Sequence, residues 1–218
     1  FKCRARDTFI ALPGLTLSIE EEDYFELVME TAARGLYEFM EGKPLTVKIY
    51  EMEQPDVLLW AVWAIQQYAK HVGREKCNRK YGKLLHDILQ YIIADKHPNL
   101  QLRHNGLLYS EGKEHAVTWM NSTANGRPVV PRTGYIVEFN ALWYNALKFC
   151  ASMAAEFGDQ TVAAEFEKRA ELCGSSFLDT FVNEYGYLFD YAEPLDSPDW
   201  SVRPNMIFAV ALDYSPLK

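Results

Sequence analysis

The residue types best suited to binding a polar ligand are concentrated in one stretch of the chain, residues 118–146. Trp119 and Asn121 lie in a short aromatic and polar segment, and a Gly/Pro-rich connection leads from there to a predicted helix. That helix opens with Glu138 and carries Trp143 in its first turns. Aromatic faces pack on the apolar CH side of a pyranose, while amide, guanidinium and carboxylate groups bond its hydroxyls. The stretch therefore indicates a sugar-binding site.

Two further groups of candidate residues precede this stretch. Arg6 and Asp7 are either a surface ion pair before a helix or an arginine–aspartate fork at the mouth of a pocket. On the residues alone we prefer the surface pair, since exposed ion pairs are common and contribute little. Asp56 lies at the start of another predicted helix, and Trp60 lies off the centre of its apolar stripe. Trp60 is therefore either a core side chain or a pocket wall.

Composition excludes several classes of function. The chain has 218 residues, a formal net charge of -8 and no basic run, so nucleic acid is not an expected partner. It has no apolar run long enough to cross a bilayer and no signal peptide, and a cytoplasmic location is the default. The four cysteines are scattered without paired spacing, so neither a metal site nor a disulfide framework is expected. No G-x-G-x-x-G or P-loop motif is present, and we expect no cofactor.

Hydrophobic periodicity predicts an all-α fold. Six or seven helices follow one another, with no alternation of strands and helices. Ser18 and Glu21 have capping-box spacing before one of these helices. Residues 139–153 and 162–177 are predicted to pair as a helical hairpin, because only a short Gly-Asp connection separates them. Stacked hairpins with functional loops between them are typical of an α/α toroid, whose pocket lies where the loops converge.

Six segments, in order, resemble one known family. The most specific part of them is the Glu-x-Asn-Ala-Leu-Trp-Tyr-Asn-Ala-Leu run that begins at Glu138. Together they resemble the glucosidase domain of glycogen-debranching enzymes, the amylo-α-1,6-glucosidase type, over essentially the whole chain. The segments are RDTFIALPGL (6–15), PDVLLWAVWAIQQY (55–68), GLLYS (106–110), TWMNS (118–122), PRTGYIVEFNALWYNAL (131–147) and RPNMIFAVAL (203–212).

The resemblance implies a glucoamylase-like (α/α)6 barrel, a toroid of six helical hairpins. It implies inverting hydrolysis of α-1,6-glucosidic branch points in glycogen, limit dextrin or a related α-glucan. By analogy with related barrels, Arg6 and Asp7 are expected to grip hydroxyls of the terminal glucose, which reverses our preference for a surface pair. Asp56 and Trp60 are expected near the same pocket. Arg132, Glu138 and Trp143 are expected to line it beside Trp119.

The sequence departs from the family pattern at the general acid. Typical members carry aspartate after Trp-Met, whereas this chain has Asn121. An amide can bond the glycosidic oxygen but cannot protonate it, and an inverting enzyme needs two carboxyl groups about 6.5–9.5 Å apart. Glu138 is the nearest substitute carboxylate. It is either the acid or a structural residue that binds Arg132 or a sugar hydroxyl, so we name Asn121 and Glu138 as the catalytic candidates.

The second departure is length, because a twelve-helix toroid needs more helices than this chain supplies. Residues 1–218 are therefore expected to form one incomplete barrel domain, with the water-activating base and the remaining helices C-terminal to Lys218. We expect a glycogen-debranching glycoside hydrolase. The alternative is a non-catalytic α-glucan-binding homologue that has lost the general acid at Asn121. An α/α toroid with another substrate would explain the helices but not the order of the motifs.

Overall fold

The computed structural model describes residues 2–194 and 196–217. Helices account for 54% of the chain and strand is sparse, in agreement with the predicted all-α class. The chain divides into two compact units, Phe1–Pro98 and Asn99–Lys218. None of the described helices is long and apolar enough to cross a membrane.

The first unit is built around a helix that is apolar on almost every side, α3, whose first six residues are all buried. Such a helix is stable only when other elements surround it, and both α1 and α4 pack against it. A pair of two-residue parallel strands joins the start of the unit to its middle. The elements in chain order are β1 (Cys3–Arg4), α1 (Ala5–Leu15), α2 (Glu22–Met40), β2 (Ile49–Tyr50), α3 (Val57–Val72) and α4 (Arg74–Ile93).

The start of α2 differs from the prediction. The helix begins at Glu22 with Glu21 as its N-cap residue, and no side chain caps its amides. Leu17–Ile19 forms a single 3-10 turn, after which Glu20 adopts a left-handed φ of 62°. The predicted capping box is wrong, because this left-handed residue separates Ser18 from the helix that it was expected to cap.

The second unit contains the predicted helical hairpin, which is confirmed. α5 (Val137–Glu156) and α6 (Gln160–Phe181) pack along each other, and the Asp159 carboxylate caps α6 by accepting from the Val162 amide at 3.0 Å. α5 is buried on nearly all sides, and the short helix α7 (Met206–Ala211) packs against it.

Short strands in the second unit assemble a small antiparallel sheet in the order β3-β4-β7-β8. A separate two-stranded hairpin, β5-β6, follows the Trp119 segment. Strand β7 is followed directly by the first residue of α5. The residues just before this strand and those in the first turn of the helix therefore lie near each other. The strands are β3 (Gln101–Leu102), β4 (Leu108–Ser110), β5 (Thr123–Ala124), β6 (Arg127–Pro128), β7 (Gly134–Ile136) and β8 (Tyr191–Ala192).

Candidate functional site

The candidate residues of the first unit form a bidentate fork. Arg6, in the first turn of α1, donates from Nε to Asp56 Oδ2 at 2.7 Å and from Nη2 to Asp56 Oδ1 at 2.8 Å. Trp60, one turn into α3, donates its indole N–H to Asp56 Oδ2 at 3.1 Å. The three side chains are 6%, 2% and 4% exposed, so the fork lies out of water, where charge-assisted bonds are strong.

Burial would lower the pKa of Arg6, but the charge of Asp56 and its hydrogen bonds raise that pKa, and the guanidinium stays charged. Asp7, by contrast, is exposed on the next position of α1. The arginine–aspartate fork of this unit is therefore Arg6 with Asp56.

The candidate residues of the second unit surround one buried cation, Arg132, which is 1% exposed. Its two terminal nitrogens bond the two carboxylate oxygens of Glu138, with Nη2 to Oε2 at 2.6 Å. On its other side Nη2 donates to Asp190 Oδ1 at 3.0 Å and to the Asp190 carbonyl at 3.1 Å. Nε lies 2.8 Å from Asp190 Oδ2, an ion-pair contact whose angle does not make it a hydrogen bond.

This arrangement determines the chemistry available to Glu138, which is 1% exposed. Burial raises the pKa of Glu138, while the charge and hydrogen bonds of Arg132 oppose that rise. Burial would lower the pKa of Arg132, and the two carboxylates raise it, so the cation persists. Both Glu138 oxygens accept hydrogen bonds from Arg132, so the carboxylate and the guanidinium form a bidentate pair.

A hydrogen-bond chain connects this cation to the Trp119 segment through Asn205. The Asn205 side-chain amide donates to Asp190 Oδ1 at 2.7 Å, and its carbonyl oxygen accepts the Trp119 indole N–H at 2.8 Å. The same amide nitrogen contacts Met120 Sδ at 3.4 Å. Trp119 itself is 48% exposed, so the network fixes an aromatic ring that a ligand can reach.

A second cation, Arg203, also bonds Asp190. Its Nη1 donates to Asp190 Oδ2 at 2.8 Å and to Asp199 Oδ1 at 2.6 Å. Asp190 is fully buried, and its anion is therefore shared between two arginines and one amide. Asp190 is thus bonded by both Arg203 and Asn205, the first and last residues of the Arg203-Pro204-Asn205 triplet.

Two other candidates have different surroundings. Trp143 is 1% exposed and donates its indole N–H to the Gly106 carbonyl at 3.2 Å, so it anchors α5 inside the core. Asn121 is exposed, and its backbone amide closes a tight turn onto the Trp119 carbonyl at 3.0 Å. The exposed amide of Asn121 and the exposed ring of Trp119 thus lie two residues apart on one turn.

Comparison with known proteins decides the family. The family model described as amylo-alpha-1,6-glucosidase matches residues 1–218. The chain belongs to this amylo-alpha-1,6-glucosidase family. The resemblance found in the sequence is confirmed, and at this level the domain is a glycoside hydrolase of the glycogen-debranching type. No curated protein matches the chain.

Three residues of this amylo-alpha-1,6-glucosidase domain escaped prediction from sequence: Asp190, Arg203 and Asn205. Their partners lie 58 residues from Asp190 and 86 residues from Asn205, and no periodicity links positions so far apart. The only signal was the conspicuous Arg203-Pro204-Asn205 triplet, which carries two side chains able to bond a carboxylate.

Among the described residues, no group of three or more His, Cys, Asp or Glu side chains could hold a metal ion.

Proposed function

We propose that this domain binds α-glucan in an inverting hydrolase that removes α-1,6-linked glucosyl branches from glycogen or a related polymer. The observation that supports this most is the exposed Trp119 ring, fixed by Asn205 on a buried network of charges within a chain of this family. A ring held in one orientation loses little conformational freedom when a sugar stacks on it. Stacking on Trp119 is therefore the proposed source of affinity for the glucosyl residue.

The proposal assigns the first unit a matching role in an (α/α)6 barrel of six helical hairpins. Asp7 would present its exposed carboxylate to hydroxyls of the terminal glucose, and the buried fork of Arg6 and Asp56 would hold the start of α1, which carries Asp7, in place. Trp60 orients Asp56 by its indole bond, which keeps one oxygen of the fork in place.

A second candidate function is a non-catalytic α-glucan-binding homologue, and two observations favour it. The family resemblance puts the general acid at the position of Asn121, whose amide has no proton to give. Glu138, the nearest carboxylate in the sequence, has both oxygens bonded to Arg132. A carboxylate held in this way orients an arginine and is a poor proton donor.

The two candidates are separated by measuring glucose release from a limit dextrin, before and after Asn121→Asp. The substitution restores a carboxylic acid where the family pattern has one, and general acid catalysis contributes on the order of 10²–10⁴ in rate. Asn125→Asp is the matched control, because Asn125 is also exposed in the following hairpin and the change adds the same charge.

Glucose release by the unsubstituted protein that falls when Trp119 is replaced by alanine supports the hydrolase. An inactive protein that gains activity with Asn121→Asp, but not with Asn125→Asp, supports the binding homologue. Absence of both glucose release and dextrin binding in all variants overturns both candidates.

A further inference from the structure

Three large aromatic side chains of the second unit are exposed next to one another. Tyr185 is 67% exposed, Trp200 50% and Tyr187 48%. The ring centroids of Tyr185 and Tyr187 are 6.4 Å apart with planes that differ by 32°, and the Trp200 ring lies 6.0 Å from Tyr185. We name Tyr185, Tyr187 and Trp200 the aromatic platform. Exposed apolar surface of this kind is frequently a binding site.

The two tyrosines are held on a tight turn. Asn183, which is 8% exposed, accepts through Oδ1 from the backbone amides of Tyr185 at 3.0 Å and Tyr187 at 3.2 Å. The backbone amide of Asn183 also donates to the Tyr187 carbonyl at 2.9 Å. Gly186 supplies the left-handed φ of 81° that the turn requires. The backbone that carries both rings is therefore fixed before any ligand binds.

Trp200, the third ring of the platform, is held by a different set of contacts. Its ring meets the edge of Phe189 at 4.7 Å with an interplanar angle of 85°. On the preceding residue, the Asp199 amide donates to the Tyr191 carbonyl at 2.9 Å, and the Asp199 carboxylate accepts from the Ser201 amide at 3.0 Å. Rigid aromatic surfaces bind at a low entropic cost, so this platform is preorganised rather than merely uncovered.

The charges around the platform select a neutral ligand. Glu184 is exposed beside Tyr185, and the protein has a net charge of -8. The nearby cation Arg203 is engaged with Asp190 and Asp199. Nucleic-acid bases also stack on aromatic rings, but their phosphates need free cationic side chains. A polymer of neutral sugars has apolar faces for the rings and brings no charge against the carboxylates.

We propose that the aromatic platform is a second α-glucan-binding site, which holds a linear α-1,4-linked run of the polymer away from the bond that is cleaved. The choice of polymer rests on the proposed function, whereas the platform rests on its own geometry. Asp199 joins the platform to Arg203 and so to the network that fixes Trp119. A glucan chain on the platform therefore raises the local concentration of branch points near Trp119.

The test is the affinity of the protein for maltoheptaose by calorimetry and for glycogen by affinity gel electrophoresis. Tyr185→Ala and Trp200→Ala each weaken binding severalfold, and together they weaken it about tenfold, as expected for the loss of two stacking contacts. Tyr24→Ala is the control, because Tyr24 is 60% exposed but lies on α2 in the first unit. Circular dichroism checks folding, and Tyr185 is the safer substitution since its turn depends on backbone bonds to Asn183.

Unchanged affinity for both ligands in the double variant overturns the platform, as does an equal loss with Tyr24→Ala. A change in self-association with unchanged glucan binding also overturns it, because the rings would then form a protein interface. Maltoheptaose contains no α-1,6 bond, so its binding is measured independently of glucose release. Platform-dependent binding without glucose release contradicts the hydrolase alone, and glucose release with platform-independent binding contradicts the platform alone.

Discussion

A buried arginine between two carboxylates is the residue-level feature on which the candidate site of the second unit depends. Arg132 bonds both Glu138 and Asp190, and Arg203 bonds Asp190 and Asp199. Removing one partner from a buried ion pair costs more than the pair contributes when intact, because the other charge stays out of water. The network is therefore stable only when all of its members are present.

Replacing Glu138 by glutamine tests this structural role. The amide keeps one acceptor oxygen but directs an NH2 group at the Arg132 guanidinium, where two donors meet. We expect the free energy of unfolding to fall by about 3 kcal/mol, at the low end for a broken buried pair because Asp190 still faces the arginine. Urea denaturation followed by tryptophan fluorescence measures the loss.

Glu165→Gln is the matched control for this substitution. Glu165 pairs with Arg169 one turn along α6, with side chains 40% and 37% exposed, and exposed pairs contribute at most about 1 kcal/mol. A Glu138→Gln protein as stable as the Glu165→Gln protein would contradict the structural role.

At this scale the sequence predicted some partners and not others. Arg132 and Glu138 lie six positions apart around a strand-to-helix junction, so their pairing was one of two interpretations considered from sequence. The bonds of Asn205 to Trp119 and Asp190 depend on how distant segments fold back, which residue types do not encode. Local spacing identified candidates, and tertiary structure determined which of them meet.

At the level of elements, α5 organises the second unit through polar side chains directed into its core. Asn140 clamps β4: its Oδ1 accepts the Leu108 amide at 2.7 Å, and its Nδ2 donates to the Leu108 carbonyl at 3.1 Å. Trp143 holds the Gly106 carbonyl in the same way. The sequence run that begins at Glu138 thus holds β4 and the nearby Gly106 against α5.

Gly134 is the element-level position most sensitive to change. It opens β7 with a φ of +104°, and a Cβ built there would lie 2.3 Å from the Ala192 carbonyl oxygen of β8. Gly134→Ala therefore combines backbone strain with a backbone clash. We expect a loss of about 2–4 kcal/mol in thermal or urea unfolding, above the 1–3 kcal/mol of a strained residue alone.

The control, Gly126→Ala, separates the two causes. Gly126 has a comparable φ of +79° but nothing within 4 Å of its built Cβ, so it reports backbone strain alone. If both alanine variants lose the same stability, the close approach of β7 to β8 contributes nothing and the prediction is wrong.

The helices were more predictable than the strands. A 3.6-residue period extends over many positions of α5 and α6, and their hairpin follows from the short connection. The four-stranded sheet was not foreseen as one structure, because each strand has only two or three residues and its partners lie far along the chain. Such short strands form where helices and loops bring them together, and no alternating pattern marks them.

At the level of the whole molecule, the two units contain the same combination of side chains. Each buries an arginine whose guanidinium forks a carboxylate, Arg6 with Asp56 and Arg132 with Glu138. Each fork is then bonded, directly or through other side chains, to a tryptophan indole, Trp60 or Trp119. Charged networks of this kind restrict the positions of the rings that they bond.

The stability of the whole protein should also depend on pH through one buried histidine. His97 is 4% exposed, and its ring packs edge-on against Phe39 at 5.3 Å and Tyr91 at 6.3 Å. Burial lowers the pKa of His97 from 6.5 to about 4. The folded protein therefore holds this histidine neutral at pH values where the unfolded chain protonates it.

The sign of the effect follows from that difference. The stability contribution of neutral His97 is complete above pH 6.5 and is lost as the pH falls from 6.5 towards 4, by on the order of 3 kcal/mol. Urea unfolding at several pH values in this window measures the slope, and His97→Gln should flatten it. His86→Gln, at a histidine whose side chain is 45% exposed, is the control for the substitution itself. An equal slope in the unsubstituted protein and in His97→Gln would show that the ring is protonated as easily in the folded protein as in the unfolded chain.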